Sequence, residues 1–181
     1  MRLLRNSVLG VLVLAVVAFA PKAVFADDEG VPIAGTFTVS PMHPSASNYC
    51  ASGGLSIEAQ GIGSVSRLGP LFLTVKKCLT FPGGFPNGTY TGTFKMTAGN
   101  GDTLEGTYAG TEDFSLTDTN GFGPFQGTLT VAGGTGRFSN ASGVLSFTAV
   151  VSPASVGVNP GTLNGTAYYL VKGNMLSPDQ E

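Results

Sequence analysis

The chain has one histidine, two cysteines and no tryptophan in 181 residues. A single histidine excludes a multi-histidine metal centre, and any serine–histidine–aspartate arrangement would rest wholly on His43. His43 sits between prolines (Pro41-Met42-His43-Pro44) and reads as a solvated loop residue. Cys50 and Cys78 without a histidine cluster do not make a zinc site. Charge is scarce too, at 11% of residues. Past residue 26 only Arg67, Lys76, Lys77, Lys95, Arg137 and Lys172 are basic, against eleven acidic residues. Nucleic-acid binding needs clustered lysine and arginine, and only Lys76-Lys77 are adjacent, so that class is set aside. An anionic membrane surface is disfavoured on the same ground. Helical periodicity is missing outside the N-terminal segment.

The one long apolar run is Ser7–Ala20, behind Arg2 and Arg5 and ahead of Lys22. It falls short of the roughly 18 to 20 residues that span a bilayer. Val24-Phe25-Ala26 places permissive residues at the −3 and −1 positions, with Asp27-Asp28-Glu29 beyond. The expectation is a signal peptide over 1–26 cleaved after Ala26, giving a secreted or periplasmic protein with no membrane span afterwards. No cysteine near the cleavage point supports a lipid anchor. In an oxidising compartment, Cys50 and Cys78 are expected to form one disulfide.

What remains is rich in glycine and threonine and alternates with period two. Thr89, Thr91, Thr93, Lys95 and Thr97 oppose Tyr90, Gly92, Phe94, Met96 and Ala98. Leu104, Tyr108 and Gly110 oppose Thr103, Glu105, Thr107 and Thr111, and Phe125, Leu129 and Val131 oppose Gln126, Thr128 and Thr130. Successive strand side chains point to opposite faces, so each segment has a polar and an apolar side. Leu71–Thr80 is less clean, because Lys77 shares a face with Leu71, Leu73, Val75 and Leu79. Asn87-Gly88, Asn100-Gly101, Asn120-Gly121 and Asn164-Gly165 supply turn chemistry. The expected fold is all-β, a single antiparallel barrel of about eight strands, with a β-sandwich as the alternative. The expected organisation is an N-terminal arm over 27–35, the barrel over 36–173 and a polar tail over 174–181.

Residues 133–143 read GGTGRFSNASG, between two strands. The segment resembles the signature shared by dirigent proteins, allene oxide cyclases and secreted bacterial proteins of unassigned role; NGDTLEGTYAG at 100–110 resembles the strand before it in the bacterial group. The resemblance covers roughly residues 54 to 172, and only the GGTGRF turn is sharp. It implies an eight-stranded antiparallel barrel, often oligomeric in the plant members. The family's catalytic residues lie outside that turn, and no motif here receives them.

Read physically, Gly133, Gly134 and Gly136 allow positive φ, Arg137 offers its donors to loop carbonyls or a carboxylate, and Phe138 plugs a barrel end. A phosphate-binding loop would need a helix directly afterwards, and a strand follows instead. The remaining acid–base candidates are Glu112 and Asp113, grouped with Asp118 after a strand. Glu112 is in phase with the apolar side and would stand inside the barrel mouth, where burial raises a carboxyl's pKa, although frayed and solvated acids are the plainer alternative. Glu58 should point outward. Tyr90, Phe94, Met96, Leu104, Tyr108, Phe125 and Leu129 line either a filled core or a small apolar pocket opening near Glu112 and Asp113. No cofactor or metal is expected. Two functions stay open: a noncatalytic secreted barrel that binds a small apolar ligand or a surface partner, with oligomers allowed, and a cofactor-free cyclase or isomerase.

Overall fold

The computed structural model describes residues 30–50, 53–118, 123–152 and 165–176. The expected signal peptide and its cleavage point, the expected Asn120-Gly121 turn and residues 177–181 lie outside them. Eight strands follow in chain order: β1 (Val31–Pro44), β2 (Leu55–Val65), β3 (Gly69–Thr80), β4 (Asn87–Ala98), β5 (Thr103–Asp113), β6 (Gly123–Gly134), β7 (Ser142–Ser152) and β8 (Gly165–Leu176). Every strand pairs antiparallel with its chain neighbours, and β8 pairs with β1 to close the barrel. Closure excludes the sandwich and leaves no sheet edge unpaired.

Alternation produces this wall directly. Phe94, Met96, Leu104, Tyr108, Phe125, Leu129, Leu145, Phe147 and Val171 all point inward and are buried. The inward glycines have a shape reason. Gly92, Gly106 and Gly110 stand opposite Tyr108, Phe94 and Tyr90 across the β4–β5 ladder. A Cβ on any of the three would collide with that facing ring and with a neighbouring carbonyl. Each glycine therefore gives a bulky ring room in a narrow barrel.

Three boundaries differ from expectation. Residues 31–35 of the expected arm belong to β1, because Val31 pairs with Met175 and Gly35 with Val65. Residues 174–176 of the expected tail belong to β8, where Met175 keeps the inward phase of Val171 and is buried. Asn87-Gly88 is the start of β4 rather than a turn, since Asn87 and Gly88 pair with Asp113 and Glu112. His43 lies in β1 opposite Glu58, and its Nδ1 donates to the Pro44 carbonyl at 3.1 Å.

One barrel end is sealed by the turn between β6 and β7. A 3₁₀ turn, Gly136–Phe138, buries Phe138. Arg137 donates to the Leu68 carbonyl at 2.8 Å, and its Nε lies 3.9 Å from the Asp102 carboxylate. Gly133 and Gly136 have φ of 124° and 56°. Gly134 does not have positive φ; its role is close approach, because a Cβ there would strike the Thr103 carbonyl. At Gly136 a Cβ would meet the Asp102 carboxylate, which Asn100 holds at 2.8 Å. Gly136→Val therefore faces both left-handed backbone strain and a steric conflict. The expected result is a clear fall in melting temperature with no effect specific to binding, and unchanged melting would refute this account of the turn. Cys50 and Cys78 lie at disulfide distance, Cα atoms 5.3 Å apart, tying the β1–β2 connection to β3.

Candidate functional site

At the other end of the barrel two charges point inward. Lys77 of β3 and Glu112 of β5 are 3% and 8% exposed, and Lys77 Nζ donates to Glu112 Oε2 at 2.6 Å. The strands that carry them are separated by β4. Lys77 stands opposite Gly92, and the ammonium crosses β4 over the Tyr90 ring, 4.5 Å from its centroid and 5.1 Å from that of Phe125. Cation–π attraction and the carboxylate together replace the water that the ammonium gives up. Phe125, Phe147 and Tyr169 extend the ring cluster, with centroids 5.1–5.9 Å apart.

Glu112 therefore faces inward, but as the buried partner of Lys77, not as a frayed acid at a strand end. Asp113 accepts from the Ser115 backbone and hydroxyl and caps the 3₁₀ turn Phe114–Leu116. Glu58 is half-buried, in register with Lys76. Tyr90 donates its hydroxyl to the Gln126 carbonyl at 2.8 Å. The Tyr108 hydroxyl is buried with no hydrogen-bond partner among the described residues. Burial pushes the Tyr90, Tyr108 and Tyr169 phenols above their usual range, and the nearby Glu112 charge adds to it. All three stay neutral and can donate but not act as phenolate bases.

The seven expected lining residues are all buried on the inside. Four of them, Phe94, Met96, Tyr108 and Leu129, line a void of only about 20 Å³. That is room for about one water, and the lining offers it no polar surface, so the void stays dry. Among the described residues these side chains pack as a filled core. Larger concavities lie on the outer wall. One groove of about 710 Å³ runs past Leu116, Pro124, Val150, Tyr168 and Leu170, with Asp113 at its edge. A second, about 700 Å³, runs past Ile62 and Phe72; Thr36 and Thr38 of β1 line both.

The apolar residues of this wall form a row by register. Phe72 stands opposite Ile62, Ile62 opposite Thr38, Thr38 opposite Tyr168, and Tyr168 opposite Val150. Ile62 is 69% exposed, and Tyr168 and Leu170 are each 52% exposed. Sequence reasoning missed this row. Ile62, Phe72, Tyr168 and Leu170 each break the polar phase of their own strand, a signal present in the chain, but only the ladder joins them. Lys77 left a similar signal as a charge in an apolar phase.

Among the described residues no group of three or more histidine, cysteine, aspartate or glutamate side chains could hold a metal ion. No family model matches the chain, and no curated protein or solved structure matches it.

Proposed function

We propose that the protein is an exported, noncatalytic barrel that works by binding an apolar partner through the outer wall of β7, β8, β1, β2 and β3. One contrast carries the reading: the interior holds a void of about 20 Å³, whereas the outer wall carries grooves of about 700 Å³ beside exposed Ile62, Tyr168 and Leu170. Contiguous exposed apolar surface is a mark of interaction sites. The N-terminal signal pattern supports export, and the GGTGRF turn on an eight-stranded barrel supports kinship with the dirigent and allene oxide cyclase group. The apolar-inside, threonine-outside pattern is the reverse of a membrane-spanning barrel and supports a water-exposed one.

A second reading, a cofactor-free cyclase or isomerase, is favoured by one feature: the buried Lys77–Glu112 pair in a barrel that also buries the Tyr108 hydroxyl with no partner among the described residues. It requires the filled interior to open for substrate. Nile red fluorescence separates the two. Under the wall reading, Leu170→Glu weakens dye binding about tenfold, by placing a charge where apolar area was buried, and Leu129→Ala leaves it unchanged. Dye binding that responds to Leu129→Ala and ignores Leu170→Glu would move the site inside.

A further inference from the structure

The barrel end that holds Lys77 and Glu112 carries an apolar surface of its own, which does not depend on the wall reading. Two connections meet there. Phe81 and Phe85, between β3 and β4, and Phe114, on the 3₁₀ turn after β5, bring their ring centroids within 5.7–6.0 Å of one another. Phe85 is 75% exposed, and Leu116, on the same turn as Phe114, is 62% exposed. None of the three rings lines either wall groove. They form a projection past the strand ends, not a cleft.

The tip is held in shape from within. Gly84 donates its backbone N–H to the Phe81 carbonyl at 2.9 Å, and Phe114 donates to the Pro86 carbonyl at 3.1 Å, which ties the two connections together. Ser115 donates its hydroxyl to Asp113, and Thr117 donates its own to the Phe114 carbonyl at 2.8 Å. Pro82 and Pro86 have no N–H, so segment 81–86 offers few donors that would lose water on burial. Rings already packed together also lose little freedom when they are covered.

Charge separates the two barrel ends. In sequence, the links between strands at this end, 45–54, 81–86, 114–122 and 153–164, carry Asp118 as their one charge, with Asp113 closing β5. The short turns at the opposite end, 66–68, 99–102 and 135–141, carry Arg67, Asp102 and Arg137. On the strands below the tip, Lys76 and Glu58 stand in register, and His43 lies opposite Glu58. A protein partner would need a pocket shaped to this projection and hydrogen bonds to orient it, but the Ser115 and Thr117 hydroxyls are already donated. A lipid interface is fluid, closes round a projection and binds in proportion to apolar area. Asp113 and Asp118, with no lysine or arginine beside them in these links, select against anionic headgroups. We propose that this end of the barrel docks on a zwitterionic lipid surface, inserting Phe81, Phe85 and Leu116 and leaving the GGTGRF end in water.

The test is co-sedimentation of the exported chain with dioleoylphosphatidylcholine vesicles. Wild type should be half bound at about 0.1–1 mM lipid, the marginal range of a single acyl chain. Phe85→Ser should weaken binding about tenfold, because most of a phenyl ring then no longer leaves water. Leu170→Glu on the wall should leave it unchanged, as should higher salt, since no charge attraction is there to be screened. Phe85 is exposed, and an unchanged melting temperature confirms that its variant folds. The chain has no tryptophan, so Phe85→Trp supplies its one indole, whose emission should shift to the blue when vesicles are added. Tyr168→Trp on the wall should show no shift. Three results would overturn the proposal: no binding at about ten times that lipid concentration, binding that ignores Phe85→Ser, or binding that needs phosphatidylglycerol and is lost in salt. No vesicle binding together with Leu170-dependent dye binding would remove the lipid contact, leave the tip to a protein partner and keep the wall reading in place. Vesicle binding that responds to Leu170→Glu and not to Phe85→Ser would overturn the tip and assign lipid to the wall.

Discussion

Lys77→Met should destabilise the protein by about 3–5 kcal/mol, the range for removing one partner of a buried ion pair. The Glu112 carboxylate would then be left in a site that is 8% exposed, in register with Phe125. Desolvating an ion costs several kcal/mol, and among the described residues Lys77 is the cation that offsets that cost for Glu112. Glu112→Leu should do the same from the other side, leaving the ammonium to two ring faces alone. The double variant Lys77→Met/Glu112→Leu should recover most of the loss, because apolar side chains of similar volume often replace a buried pair at little or no cost. Urea denaturation of the four proteins gives the coupling directly. A single-variant loss below about 1 kcal/mol would mean that the pair is hydrated and contributes as a surface pair does. The ion pair holds β3 to β5 across β4, so a loss of that size belongs to the barrel as a whole.

Phe94→Ala is the second large effect, with an expected loss of about 3–5 kcal/mol from lost burial and the cavity left behind. Phe94 is buried, fits against Gly106 on β5, and lines the void of about 20 Å³. Gly106 cannot fill the space because it has no side chain to move, and its neighbours are fixed in the ladder with Thr130. A loss under about 1.5 kcal/mol would indicate that the ring lines a preformed pocket and not a core, since little new cavity would then be created. That result would favour a ligand or a substrate inside the barrel and weaken the outer-wall reading. Thermal and urea denaturation measure it, and the Nile red titration of the same variant shows whether any affinity appears in place of the lost stability.

The core was legible in the sequence because it depends on relations between residues two apart. Tyr90, Phe94 and Met96 on one strand, and Leu104 and Tyr108 on the next, declare the inward face by alternation alone. Gly136 could be read in the same way, because a left-handed φ is a property of one residue. Lys77 and Glu112 were each visible as charges in an apolar phase, yet nothing local joins them. Their contact follows from two ladders, β3 to β4 and β4 to β5, whose registers place Lys77 opposite Gly92 and Glu112 opposite Gly88.

The alternating pattern thus determined an all-β chain with an apolar inner face, and it did so through short-range geometry. The tertiary structure decided the rest, because closure sets which distant residues become neighbours. Pairing β8 with β1 placed Tyr168 beside Thr38 and Lys172 beside Ala34, and so assembled an outer face from opposite ends of the chain. Closure also fixed the barrel radius, and with it whether the inward aromatic rings enclose a pocket or fill the space. Here Gly92, Gly106 and Gly110 let the rings lie close against the wall, and the interior is filled.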